Sequence, residues 1–86
     1  MKLTFTEEGW DDYLWFQENY KKLLKRINTV IKEVLRSPCE GIGKPERLKA
    51  NLSGYWSRRI NTEHRLVYEV LDDSIIIIAR RYHYQD

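Results

Sequence analysis

One glutamate in a charged loop, several arginines spaced along the last third, and a histidine three residues before the end are the side chains of this 86-residue chain that suit acid–base and phosphate chemistry. RNA carries its own nucleophile, the 2′-hydroxyl, so its backbone is open to cleavage by side chains alone. The reaction needs a base for the 2′-hydroxyl proton, a cation for the charge developing on the phosphate, and an acid for the departing 5′-oxygen. Glu46 suits the base, because a carboxylate is ionised at neutral pH. His83 suits the acid, because imidazole titrates near neutrality. Arg65 suits the phosphate, since its planar fork matches two phosphate oxygens. Lys49 is placed to share the base or the charge role, and Tyr84 to stack on a base or relay a proton. Lys44 opens the dense cluster Lys44-Pro45-Glu46-Arg47-Leu48-Lys49, and Lys44, Lys49, Arg59 and Arg81 are read as RNA- or phosphate-binding. Taken singly, Glu46 reads as a solvated loop residue and His83 as a structural one.

Strand pairing draws these residues together. Three strands are expected at 54–60, 64–71 and 75–83, joined by Asn61-Thr62-Glu63 and Asp72-Asp73-Ser74. The first link sets Ile60 opposite His64 and Arg59 opposite Arg65. If the second is a three-residue turn, Leu71 meets Ile75, Arg65 lies opposite Arg81, and His83 follows on the same face. Like charges directly opposite destabilise a sheet, so a row of Arg59, Arg65 and Arg81 implies an anion between them. A two-residue turn moves His83 to the other face. The site therefore requires the longer turn or a bulge in the last strand.

The elements that must hold this site are clear in outline. Residues 2–6 read as a short strand. Thr6 caps a helix over 7–18, with Glu7 and Glu8 in its first turn. Asn19 is expected to cap a second helix, in which Leu23, Leu24, Ile27, Val30, Ile31, Val34 and Leu35 recur at helical spacing and Pro38 enforces the stop. Residues 37–51, broken by Pro38, Gly41, Gly43 and Pro45, read as a loop. Ile75-Ile76-Ile77-Ile78-Ala79 lacks alternation and is read as a central strand buried on both faces. Trp10, Trp15, Phe16 and Trp56 are assigned to core or interface, and His64 to the hairpin. The result is an α+β domain spanning 1–86, ordered β-α-α-β-β-β, with two N-terminal helices packed on an antiparallel-rich sheet.

Other chemistries lack their residues. Two histidines and one cysteine, far apart in sequence, make no zinc motif. Gly41-Ile42-Gly43 is too short for a phosphate loop, and Ser53 and Ser57 stand in no nucleophile elbow. No cofactor is expected. Cys39 alone forms no intrachain disulfide, and no apolar run of membrane length and no secretory signal are apparent, which points to the cytoplasm. The net charge of +2 is uneven: residues 19–71 carry twelve Lys and Arg against five Glu. That stretch is where a polyanion is expected.

Lys44-Pro45-Glu46-Arg47-Leu48, Asn51-Leu52-Ser53-Gly54-Tyr55-Trp56-Ser57-Arg58-Arg59-Ile60, Glu63-His64-Arg65-Leu66-Val67-Tyr68 and Arg81-Tyr82-His83-Tyr84 together resemble the Txe/YoeB toxins of the RelE superfamily over essentially the whole chain. The resemblance implies a microbial-ribonuclease-like, RelE-like fold and a toxin of a type II toxin–antitoxin pair. It implies metal-independent cleavage of mRNA in the ribosomal A site and inhibition of translation. It implies a YefM-like antitoxin as partner, contact with operator DNA through the toxin–antitoxin complex, and a homodimer. The family's catalytic residues fall on Glu46, Arg65, His83 and Tyr84, with Lys49 and Arg59 in support. The chain departs from the family pattern in carrying Gln85 and Asp86 after Tyr84. The alternative is a non-catalytic module that occupies the ribosome or acts with its antitoxin as a co-repressor; a nuclease of free RNA is a third reading.

Overall fold

The computed structural model describes residues 1–48 and 54–82, with side chains as far as Ile78. Strand β1 (Lys2–Phe5) leads into helices α1 (Glu7–Asn19) and α2 (Lys21–Arg36), followed by β2 (Glu46–Arg47), β3 (Tyr55–Arg59), β4 (Arg65–Val70) and β5 (Ser74–Tyr82). The five strands form one sheet in the order β1-β5-β4-β3-β2. Only β1 runs parallel to its neighbour, with Lys2 opposite Ser74 and Phe5 opposite Ile77. The α+β outline is as the sequence implies, with one strand more: Glu46 and Arg47, expected in a loop, pair with Ser57 and Trp56 of β3. Two residues are too few for periodicity to register.

Alternation along each strand sends one set of side chains to the helices. Ile60, Leu66, Tyr68, Ile75 and Ile77 meet Phe16, Ile27, Val30, Ile31 and Val34 in a single core. The four-isoleucine run departs from expectation here. Ile75 and Ile77 are buried, whereas Ile76 and Ile78 are only half-buried. β5 lies between β1 and β4 rather than at the middle of the sheet, and its second face carries no helix. The aromatic residues also divide: Phe16 is fully buried and Trp56 packs at the core margin, while Trp10 and Trp15 are exposed.

Helix α1 is fixed at its start. The Thr6 hydroxyl accepts from the Gly9 amide at 3.1 Å and faces the Ile77 and Ile78 carbonyls at 3.3 and 3.0 Å. The cap thus binds the helix to β5 as well as to itself. The two helices break at Tyr20 alone, whose N–H donates to Phe16 O at 2.8 Å and whose carbonyl accepts from Leu23 and Leu24. Asn19 does not cap α2 as expected; it ends α1, and its amide donates back to Trp15 O at 2.9 Å. Tyr13 then ties α1 to α2, donating to Asn28 Oδ1 at 2.8 Å.

Gly9 sets how close α1 lies to the sheet. A Cβ there would stand 2.5 Å from Ile77 O and 3.1 Å from Ile78 O. Both are backbone atoms of a paired strand and have little room to give. Overpacking of this kind costs about 1–3 kcal/mol, against about 0.5–1 kcal/mol gained by replacing a mid-helix glycine with alanine. The clash wins: Gly9→Ala is expected to lower unfolding free energy by about 1–2 kcal/mol in urea titration, the reverse of what helix propensity alone gives.

Candidate functional site

β3 presents two faces with different tasks. Tyr55, Ser57 and Arg59 point away from the helices; Trp56 and Arg58 point toward them. Arg58 is 0 % exposed. Its Nε donates to the Tyr68 hydroxyl at 3.1 Å, Nη1 to Ile42 O at 3.3 Å, and Nη2 to Ser37 O and, at 2.7 Å, to Glu40 O. The Tyr68 hydroxyl in turn donates to Pro38 O at 2.7 Å. Two core side chains therefore gather the carbonyls of residues 37–42, just beyond the end of α2, where a cation is favoured by the unpaired carbonyls of the helix. Arg58 lies in the basic stretch 19–71 where a polyanion is expected, and its burial removes its charge from that surface.

The gathered loop delivers Glu46. Gly43, at φ +82°, passes so near β3 that a Cβ would lie 2.9 Å from Arg59 O, and its own carbonyl accepts from the Arg59 amide at 2.7 Å. Lys44 follows in the left-handed region at φ 49°, which disfavours a side chain with a Cβ. Past Pro45, the chain joins the sheet with Glu46 opposite Ser57, and buried Leu48, its N–H donating to Tyr55 O at 2.9 Å, closes the pairing.

On the face without helices, Arg59 stands opposite Arg65, as the hairpin spacing requires. The Asn61 side chain builds that turn, accepting from the Glu63 and His64 amides at 2.9 and 2.7 Å. Arg65 reaches back across the sheet. Its Nη1 donates to Ser57 Oγ at 2.9 Å and lies 3.7 Å from Glu46 Oε2. The Glu46 side chain is 57 % exposed and that of Arg65 25 %, so carboxylate and guanidinium are both open to a ligand. Lys44 and Arg59 are exposed and form no ion pair among the described residues. Arg47 lies over the Trp56 ring, 5.7 Å from its centre. A carboxylate beside a fixed guanidinium, with further cations around, can remove a proton next to a bound phosphate.

The third arginine of the expected row is displaced. Leu71 N–H donates to Ser74 O at 2.9 Å, so the turn spans Asp72-Asp73 alone rather than three residues. Val70 then pairs with Ile75 and Tyr68 with Ile77. β5 carries extra residues in two register shifts, so that Val67 meets Ala79 and Arg65 meets Tyr82, not Arg81. The expected three-residue turn is therefore absent, the bulging of the last strand is present, and together they set Tyr82 rather than Arg81 opposite Arg65, so the expected row of three arginines does not form. Lys49, His83, Tyr84 and the Arg81 side chain lie outside the described residues. Of the expected site, the fold brings together Glu46, Arg65 and Arg59, with Lys44 nearby. It adds Ser57, which the sequence offers only as a serine without a nucleophile elbow.

A family model described as the YoeB-like toxin of bacterial type II toxin–antitoxin systems matches residues 5–84. A toxin YoeB from Synechocystis sp. is 68% identical over 85 residues, 99% of each chain. A YoeB dimer from Staphylococcus aureus superposes with a TM-score of 0.90 at 53% identity, covering 98% of both chains. The heterotetrameric YoeB–YefM toxin–antitoxin complex from the same organism matches at 0.88 and 53% identity, again over 98% of each chain.

Removing Arg58 should loosen the loop that carries Glu46. Arg58→Met leaves three carbonyls and a phenol without a donor, a loss of about 3 kcal/mol, measured as a lowered urea midpoint together with early proteolysis within 37–45. Tyr68 adds a pH dependence. Burial pushes its phenol above the ordinary value, with the Arg58 hydrogen bond and charge drawing it partway back. The folded-state value exceeds the unfolded one, so this stability is complete below about pH 10 and lost as pH rises through the folded value. Tyr68→Phe should flatten that alkaline limb in thermal unfolding; an unchanged limb would assign the loss to other tyrosines.

Proposed function

Because the chain belongs to the YoeB-like toxins of bacterial type II toxin–antitoxin systems, we propose that it is a ribosome-dependent, metal-independent endoribonuclease that cuts mRNA in the A site and so inhibits translation. The observation that carries this reading is the Glu46 carboxylate held 3.7 Å from Arg65 Nη1, on a sheet face where Arg59 stands opposite. Glu46 takes the 2′-hydroxyl proton and the 2′-oxygen attacks the adjacent phosphorus. Arg65, with Arg59, Lys44, Lys49 and Arg81 in support, holds the phosphate oxygens while charge builds on them. His83 gives its proton to the 5′-oxygen as the P–O5′ bond breaks, and Tyr84 stacks on the base or relays the proton. The products are a 5′-hydroxyl end and a cyclic phosphate that opens to a 3′-phosphate. Glu46 is open to solvent, so much of the substrate's alignment falls to the ribosome.

The Staphylococcus aureus relatives support the antitoxin and the second copy as partners. A YefM-like antitoxin covers the toxin, as YefM accompanies YoeB in the Staphylococcus aureus complex, and the joint complex binds operator DNA. Two copies form a dimer like that of the Staphylococcus aureus toxin, in the cytoplasm. No helix among the described residues is long and apolar enough to cross a membrane.

The exposed cations also suit a second reading, in which the protein occupies the A site without cutting. The two separate on purified ribosomes carrying a positioned mRNA, with toxin pretreated with EDTA and assayed in magnesium buffer. Wild type should cut in the A-site codon. Glu46→Ala and His83→Ala should each slow that cut by about 10²–10⁴-fold, the range of general acid–base catalysis, and Arg65→Ala by about 10²–10³-fold. Translation blocked by wild type with no cut mRNA would decide for occupancy.

A further inference from the structure

Ser57 sits at the crossing of the features just described. It is wholly buried, it pairs with Glu46 on one side and Val67 on the other, and its hydroxyl accepts from Arg65 Nη1 at 2.9 Å. The same nitrogen also forms an ion pair with Glu46, 3.7 Å from Oε2 but beyond hydrogen-bonding distance. Ser57 and Glu46 therefore compete for one edge of one guanidinium, and the serine holds it. We propose that Ser57 is the positioning residue that holds Arg65 out of hydrogen-bonding contact with Glu46, leaving the carboxylate open as a base and the rest of the guanidinium open to a phosphate.

Three physical points carry this. Among the described residues, Nη1 is the one Arg65 nitrogen in a hydrogen bond, so the Nε and Nη2 edge is the fork available for two phosphate oxygens. A hydroxyl fixes the guanidinium without cancelling its charge, whereas a carboxylate in bonding contact would neutralise it. Arg59 directly opposite repels Arg65, and the nearest relief is a closed Arg65–Glu46 pair, which would spend both functional groups on each other. A buried anchor on the strand between them prevents that collapse.

The role of Ser57 in cleavage rests on the nuclease reading; its hold on Arg65 does not, and the two are measured apart. For the hold, the Arg65 Nε–Hε signal is followed by 15N NMR as inorganic phosphate is added. Wild type should show a distinct signal that shifts with phosphate. Ser57→Ala, and Ser57→Cys as a near-isosteric second variant with a poorer acceptor, should weaken that response about tenfold while unfolding at the same urea midpoint as wild type. An unaltered phosphate response in both variants overturns the proposal. For cleavage, a double-mutant cycle on programmed ribosomes is expected to give about a tenfold fall in kcat/KM for Ser57→Ala in the wild-type background, carried by kcat, and less than a twofold change in the Arg65→Ala background. Equal losses in both backgrounds would mark a structural serine and overturn the positioning role. A wild type that binds phosphate through Arg65 yet cuts nothing would sink the nuclease reading and leave the Ser57–Arg65 relation supported.

Discussion

The buried guanidinium of Arg58 is the interaction on which the rest of the site depends. A cation removed from water needs its donors filled, and no carboxylate forms a hydrogen bond with this one among the described residues. Its acceptors are the carbonyls of Ser37, Glu40 and Ile42 and the hydroxyl of Tyr68. A lysine could not replace it, because three compact donors cannot span carbonyls spread over six residues of chain. The satisfied arginine converts a glycine-rich segment, whose own conformational freedom opposes order, into a fixed lead-in to β2. Glu33 feels the same charge: its carboxyl is held below its ordinary range chiefly by a hydrogen bond from Arg36, with a smaller contribution from Arg58.

Three successive residues of β3 show how one strand separates structure from chemistry. Ser57 and Arg59 face the open side of the sheet and Arg58 the helices. In the sequence, Arg58 and Arg59 are adjacent and equivalent cations. The pleat makes one a core residue with four acceptors and the other an exposed charge opposite Arg65. A shift of one residue in the β3–β4 register would exchange them, turning Arg59 to the core and Arg58 to the open face. The short Asn61-Thr62-Glu63 turn, braced by the Asn61 side chain, holds that register.

Features set by local pattern were legible in the sequence. The apolar spacing of α2, the Thr6 cap and the opposition of Arg59 and Arg65 all depend on residues near one another in the chain. Glu46 and Arg65 were legible as partners through chemistry and family resemblance, although nothing in spacing places one beside the other. What escaped was non-local. The burial of Arg58 depends on carbonyls 16 to 21 residues away. The pairing of Glu46 with Ser57 depends on that burial. The shifts in β5 fall in its pairing with β4, and no composition signal marks them. Asn19, a good cap by type, was displaced because Tyr20 alone bridges the helices.

The pairing of the first strand with the last has a consequence for timing. Among the described residues β1 pairs with β5 alone, and the Thr6 cap and Gly9 both meet the backbone of residues 77–78. While the chain is being made, everything up to Val70 can leave the ribosome with β1 still lacking its partner and the helices still lacking Ile75 and Ile77. The sheet therefore cannot close until residues 74–77 have emerged. A closure that joins residues more than seventy positions apart is slow to form, so a freshly made molecule passes through an interval in which its apolar helix faces are open and β1 and β5 have yet to meet.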